Sequence, residues 1–350
     1  MDFDLSDDQQ ALRDAARDLL RSTCTTARVR EVMETGDFDR DLWSAMVDQG
    51  WLGVATAERH GGLGLGIVDA AVLLEQTGAH VAPVPFAQHL LATAATGDNA
   101  ALSGRLLTGE CIGTAARTAL AHHADGSVSG RTEPVVFGAT AAVLVAPAGD
   151  ELVAVDLRGV PRCAEPAMDL TRELAWIELE AAPATTLGGP AAVEAHLDRG
   201  ALFHAAEMLG CAEAVMRLAV GYAKERHQFG RPIGSFQAVK HRCADMLVDV
   251  EGMRSAVYHA AWALGALGAG DPDASIAASI AKVWCSDAGL RVAESALQVH
   301  GGIGFTWDSD VHLFLKRAQL DQVAFGDATH HRARLMGLLR ARLACGESII

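Results

Sequence analysis

Apolar positions recur at helical spacing through the first hundred residues. Ser6 stands ahead of Leu12, Ala15, Leu19 and Leu20. Their spacing of about 3.6 residues predicts an amphipathic helix with Ser6 as its cap. Leu42, Trp43, Met46 and Val47 predict a second helix that ends near Gly50, and Trp51-Leu52-Gly53-Val54 is a short apolar run after it. His60-Gly61-Gly62-Leu63-Gly64-Leu65-Gly66 reads as a turn-forming loop. Helical spacing resumes from Ala70 to Gly78, and Val81-Ala82-Pro83-Val84-Pro85 interrupts it.

From about residue 106 the period shortens. Val135-Val136-Phe137, Ala142 to Val145, Leu152 to Val155 and Ala175 to Leu179 predict short strands punctuated by Gly, Pro and Asp. From about 190 the helical period returns in longer stretches, at 199–227, 234–267, 272–299 and 327–345. Four such stretches predict a four-helix bundle. The expected class is α+β, mostly α. An N-terminal helical domain covers 1–105, a small and shortened β-domain 106–188, and a C-terminal bundle 189–350. The apolar faces within 238–266 and 275–298 exceed what one bundle buries, which predicts dimers or tetramers.

Composition narrows the partners. The net charge is −15, with acidic residues spread along the chain rather than gathered in a tail. Such a field repels nucleic acid and anionic lipid, so an anionic substrate needs a local basic site. Only 5% of residues are aromatic and Tyr occurs twice, which argues against a large antiparallel sandwich. Cys24, Cys111, Cys163, Cys211, Cys243, Cys285 and Cys345 are odd in number and none forms a C-x-x-C pair. Reduced thiols in the cytoplasm are the expectation, without disulfide framework or zinc site. Met1-Asp2-Phe3-Asp4-Leu5 is acidic and has no secretory pattern, and no apolar run is long enough to span a bilayer.

Local signatures go further. Leu42-Trp43, Gly50-Trp51-Leu52-Gly53 and Glu58-Arg59-His60 followed by Gly61 to Gly66 are joined by Glu75, Gly78 and Val81 to Pro85. Arg226-His227-Gln228-Phe229-Gly230-Arg231-Pro232-Ile233 precedes Phe236-Gln237, and Gln298-Val299-His300-Gly301-Gly302-Ile303-Gly304-Phe305 follows. The first block resembles the N-terminal domain of acyl-CoA dehydrogenases. The other two resemble that family's R-x-x-F-G…Q and Q-x-x-G-G-x-G-F segments. The resemblance runs over nearly the whole chain and is weakest in the β-domain.

It implies FAD-dependent α,β-dehydrogenation of an acyl-CoA, with the two C-terminal segments holding the adenine and diphosphate end of a neighbour's FAD. Arg226 offers a planar fork of donors suited to a diphosphate. Phe229 suits a flat ring, Gln237 and Gln298 suit polar edges, and Gly301 and Gly302 let backbone approach the cofactor. The plain alternatives are a solvated helix-end arginine and an ordinary glycine helix cap.

The catalytic base implied by the family is missing. Its usual Y-E-G-T loop aligns with Gln322-Val323-Ala324-Phe325-Gly326-Asp327-Ala328-Thr329, which places Phe325 where Glu is expected. The alternative position, an E-R pair early in the bundle, falls on Gly200 and Ala201, with Asp198 near a substrate-contact position. The T-E-P-x-x-G-S-D segment that holds the flavin ring has no counterpart in Gly113 to Leu120. Thr132-Glu133-Pro134 sits later, in a strand–turn context, and reads as a decoy. The residues for a neighbour's FAD are thus present and those for the chain's own flavin chemistry are gone.

That pattern resembles the short subunits of α2β2 acyl-CoA dehydrogenases that oxidise steroid side-chain CoA thioesters in actinobacteria. It implies a homologous partner subunit, with electron-transferring flavoprotein as the family's usual acceptor. Two other readings stay open at this point. One is a self-associating, self-sufficient flavoenzyme whose base comes from Asp327, His330 or His331. The other is a structural homologue that binds neither flavin nor CoA. Asp327 also suits a helix cap, and adjacent His330 and His331 point to different sides of a helix.

Overall fold

The computed structural model describes residues 4–346 and 348, so the acidic start at Met1 to Phe3 lies outside the described residues. Six helices come first: α1 (Asp7–Thr23), α2 (Thr26–Thr35), α3 (Arg40–Asp48), α4 (Ile67–Ala79), α5 (Phe86–Ala94) and α6 (Ala100–Leu107). Ser6 caps α1 as its position predicts, in a reciprocal pair with Gln9. The extra helix α2, capped by Thr25, carries only Val29 and Val32 into the core, too thin a stripe to stand out in the sequence. Helices α4 and α5 are buried almost all round, and α4 packs along the first helix of the bundle.

The strand region runs through β1 (Gly113–Ala115), β2 (Ala121–His122), β3 (Ser127–Arg131), β4 (Val135–Val136), β5 (Val143–Ala148), β6 (Glu151–Asp156), β7 (Ala164–Glu165), β8 (Leu174–Ala175) and β9 (Glu178–Gly188). The six-stranded sheet has the order β1-β5-β6-β9-β3-β2, and β4-β8-β7 form a smaller sheet. Among the named strands of the described residues only β1 and β5 pair in parallel, Gly113 opposite Val143. Strand β5 is buried at every position, so it reads as a continuous apolar run rather than an alternating one.

The last part holds α7 (Pro190–Glu225), a hairpin β10 (His227–Gln228) and β11 (Arg231–Pro232), then α8 (Gln237–Leu267), α9 (Pro272–His300), α10 (Val311–Val323) and α11 (Ala328–Ala344). The bundle corrects the expected one in membership. Helices α7, α8, α9 and α10 pack together, and α11 lies against α9. The sequence reading passed over α10 because its inward residues include His312, Arg317 and Asp321, all buried, which breaks the apolar period. No helix among the described residues is long and apolar enough to cross a membrane, and the seven cysteines are free.

Candidate functional site

The contact that defines the site joins two positions far apart in sequence. Gly200 lies buried within α7, and Phe325 follows α10 with a backbone φ of +54°. A Cβ built on Gly200 would stand 2.0 Å from Phe325 Cδ1. The ring therefore occupies the space that any side chain at 200 would need. His204 stacks on it at 5.7 Å between centroids, and His196 meets it edge-on at 5.5 Å. His331 fixes the turn, its Nε2 bonding the Phe325 carbonyl oxygen at 3.0 Å.

This contact makes a prediction. Gly200→Ala should cost about 1–3 kcal/mol by overpacking, read as a fall in melting temperature. The cost should shrink in a Phe325→Leu background, where the ring no longer blocks the new methyl group. Equal costs in both backgrounds would mean that the two positions do not share this space.

Beside Phe325 opens a cavity of about 310 Å³. Its apolar walls are Ala115, Val135, Val136, Leu174, Leu320 and Val323, and its polar ones include Gln88, Arg117, Glu133 and His204. The stretch set aside as a decoy thus borders the cavity: Glu133 and Pro134 line it. Among the described lining residues Glu133 is the one carboxylate. Its two oxygens accept the backbone N–H groups of Arg117 and Thr118 at 2.6 and 3.0 Å, which commits it to holding the turn after β1. Thr132 exchanges bonds with the Ile177 backbone instead of facing the cavity.

The remaining sequence candidates fall elsewhere. Asp198, a substrate-contact candidate, is 1% exposed and accepts from Arg334 at 2.6 Å and Ser275 at 2.7 Å. A carboxylate so committed is a structural ion pair, and it does not line the cavity. Asp327 caps α11 through the His330 N–H at 2.8 Å. His330 is exposed and His331 is buried, with rings at 87° to one another. Burial pushes the His331 ring down to about 3, so it is neutral and anchors the loop.

The six cofactor candidates gather at one end of the bundle, facing outward. Arg226 ends α7, its N–H bonding the Tyr222 carbonyl and its carbonyl accepting from Ile233. Tyr222 stacks on His300 at 4.5 Å, which brings the end of α7 beside the end of α9 and its Gly301. Gly301 closes α9 with φ +63°, a conformation that favours glycine, and open space surrounds both it and Gly302. Arg226, Gln237, Gln298 and Gly302 are exposed. Phe229 is 91% exposed on the β10–β11 turn, edge-on to Phe236. A phenylalanine held that far into solvent by a short hairpin is placed to meet another surface.

Sequence reasoning missed the polar core beneath the site. Arg317, Arg172, Glu207, Asp321, Asp169 and His204 are all buried. Arg317 donates to Asp169 at 2.8 Å and Thr171 at 2.6 Å, and pairs with Glu207 at 3.4 Å. Arg172 donates to Glu207 and, at 3.1 Å, to Asp321, which His204 also meets at 3.2 Å. The potential ligand atoms of His204, Glu207 and Asp321 lie within 4.8 Å of one another. Arg172 bonds both carboxylates, so the charge a metal would neutralise is already balanced. Buried Lys282, which burial pushes down to about 8, donates to the Asp321 carbonyl at 2.5 Å and the Gln322 carbonyl at 3.1 Å. It thereby caps α10 just before Phe325.

Comparison with known proteins bears on the family and the fold. Residues 6–100 match the acyl-CoA dehydrogenase N-terminal domain, and residues 188–337 match the acyl-CoA dehydrogenase C-terminal domain. The acyl-CoA dehydrogenase IpdE2 of Mycolicibacterium smegmatis is 35% identical over 97% of both chains. One chain of the ChsE4-ChsE5 complex from Mycobacterium tuberculosis is 30% identical, with a TM-score of 0.89 over 98% of this chain and 99% of that one. A chain of the Tcur3481-Tcur3483 steroid ACAD, in a variant form, is 32% identical with a TM-score of 0.88, over 96% and 99%. Acyl-CoA dehydrogenases are FAD flavoproteins that oxidise the α,β-bond of acyl-CoA thioesters. With this fold and identity along almost its entire length, the chain belongs to the acyl-CoA dehydrogenase family.

Proposed function

We propose that this chain is one subunit of a heteromeric acyl-CoA dehydrogenase. It binds the adenine and diphosphate end of an FAD whose ring, substrate and catalytic glutamate are completed by a homologous partner. The observation that carries this reading is the Phe325 ring over Gly200. Neither position of the family's base holds a carboxylate, and the Phe325 ring fills the space that a side chain at 200 would need. A general base must reach the proton it removes. Among the described lining residues the one carboxylate, Glu133, is tied to two backbone N–H groups, and the one imidazole, His204, is engaged by Asp321.

The outward end of the bundle suits the FAD role. Arg226 supplies a charged fork for the diphosphate. Phe229 packs against the flat adenine, Gln237 and Gln298 bond polar edges, and Gly301 and Gly302 admit close approach of the backbone. FAD, when bound, supplies the hydride acceptor of the family's reaction. This chain contributes grip and orientation, and the partner contributes the proton acceptor. Two relatives support the two-subunit form, because ChsE4-ChsE5 and Tcur3481-Tcur3483 carry two subunit names in one assembly. The Tcur3481-Tcur3483 protein is named a steroid ACAD, which favours a steroid-derived CoA thioester as substrate here. Electron-transferring flavoprotein is the proposed acceptor and the cytoplasm the proposed compartment.

The test is visible flavin absorbance of the purified chain, alone and co-expressed with a neighbouring acyl-CoA dehydrogenase gene. Flavin should appear only with the partner. A stoichiometrically yellow protein from the chain alone would overturn the shared site. Within the complex, Arg226→Ala should weaken FAD retention by about 1.5–3 kcal/mol, through loss of one charge-assisted bond. Fluorescence of released FAD measures this, and unchanged affinity would count against the assignment of Arg226.

A further inference from the structure

The cavity beside Phe325 keeps binding features that the proposed shared FAD site does not use. Most of its walls are aliphatic, and its volume of about 310 Å³ falls at the small end of ligand pockets. At its partly exposed side stands Arg117. The backbone N–H of Arg117 bonds Glu133, but among the described residues its guanidinium makes no hydrogen bond or ion pair. No hydrogen bond or ion pair joins it to the neighbouring Glu133 carboxylate, whose oxygens accept the Arg117 and Thr118 backbone N–H groups. At the buried side, Gln88 is 2% exposed and its Oε1 has no hydrogen-bond donor. A free guanidinium at the rim and aliphatic walls behind it describe one kind of ligand.

We propose that this cavity binds an apolar carboxylic acid, its carboxylate on Arg117 and its hydrocarbon body along Val135, Val136, Leu174, Leu320 and Val323. Arginine matches a carboxylate bidentately, which a neutral or cationic head cannot reproduce. The unpartnered Gln88 oxygen adds a preference for a tail that ends in a hydroxyl, since a ligand donor would satisfy a buried acceptor left alone. This is a binding site without turnover, because Phe325 and Gly200 carry no base and the lining Glu133 and His204 are engaged by backbone N–H groups and by Asp321. It is independent of whether a partner completes the FAD grip at the other end of the bundle.

The test is isothermal titration of the full chain with sodium decanoate, with decanol and decyltrimethylammonium as uncharged and cationic analogues. Decanoate should bind one to one, and decanol about tenfold or more weaker, the scale of one lost charge-assisted contact. Arg117→Gln should erase the difference between decanoate and decanol, and Arg117→Lys should keep most of it. Because the Arg117 side chain bonds nothing else, circular dichroism of both variants should match the parent. Gln88→Leu should weaken hydroxydecanoate bearing a terminal hydroxyl while leaving decanoate unchanged. The proposal is overturned if decanoate gives no saturable heat, if decanol or the cation binds as tightly, or if Arg117→Gln has no effect. Displacement of decanoate by riboflavin would overturn it too, by showing the cavity to be space for a flavin ring.

Discussion

Arg317→Met should lower the unfolding free energy by about 3–5 kcal/mol, the range seen when one partner of a buried ion pair is removed. Arg317 is completely buried, and its guanidinium reaches Asp169, Thr171, Glu207 and the Ala82 carbonyl. These groups tie α10 to three other stretches: the segment between β7 and β8, the middle of α7, and the chain after α4. Methionine fills much of the volume, so little of the loss comes from a cavity. What remains is three carboxylates with one arginine in place of two, since Asp169 loses its guanidinium partner and Arg172 alone still serves Glu207 and Asp321. Against a total stability of about 5–15 kcal/mol, that loss is large. Urea unfolding with an unchanged slope would measure it. Arg40→Met, which removes the exposed pair with Asp37, should barely shift the midpoint. If both variants shift it equally, the buried network does not fix the bundle against the β-region.

Acid should unfold the chain through buried neutral histidines, with stability falling as pH drops from about 6.5 toward 4. His89 is fully buried, and burial pushes it down to about 4. Its Nε2 donates to the Leu106 carbonyl at 3.0 Å, while Nδ1 accepts the Gly113 N–H at 3.1 Å. A second proton would set two donors against each other. His196, also pushed down to about 4 by burial, donates from Nε2 to the Ala116 carbonyl at 2.9 Å and has no partner at Nδ1. In both, the folded ring resists a proton that the unfolded chain takes up near pH 6.5. The unfolded state therefore binds more protons between pH 6.5 and about 4, and stability is lost as pH falls through that window. Each ring contributes roughly 3 kcal/mol to that loss. Calorimetry across the range should show the melting temperature falling steadily. His89→Gln should lower it at neutral pH and flatten the slope. An unchanged slope would mean that this ring does not carry the acid sensitivity.

Much of this structure is legible from residues that act locally. Ser6 and Asp327 announce their helices because a short polar side chain ahead of an apolar stripe satisfies N–H groups within one turn. The segments around Arg226 and Gly301 are legible because their residue types are unusual in combination. What the sequence hides is long-range and polar. Helix α10 breaks the apolar period because Arg317 and Asp321 are stabilised by partners on other elements, and nothing local marks that. Asp198 stands near a substrate-contact position by counting, yet Arg334, far along the chain, claims it. Glu133 seems displaced from its motif in one dimension, while in three dimensions the turn after β1 carries Arg117 and Thr118 to it. Phe325 and Gly200 each stand visibly where a base is expected, but only the fold shows that they share one space.

That pairing bears on how the two positions can change. A glutamate placed at 325 alone would leave a hole above Gly200 and bring a carboxylate against His204 and His196. A glutamate placed at 200 alone would collide with the Phe325 ring. Either single substitution disturbs this packing, so the two positions are coupled: a carboxylate at one calls for a compensating change at the other.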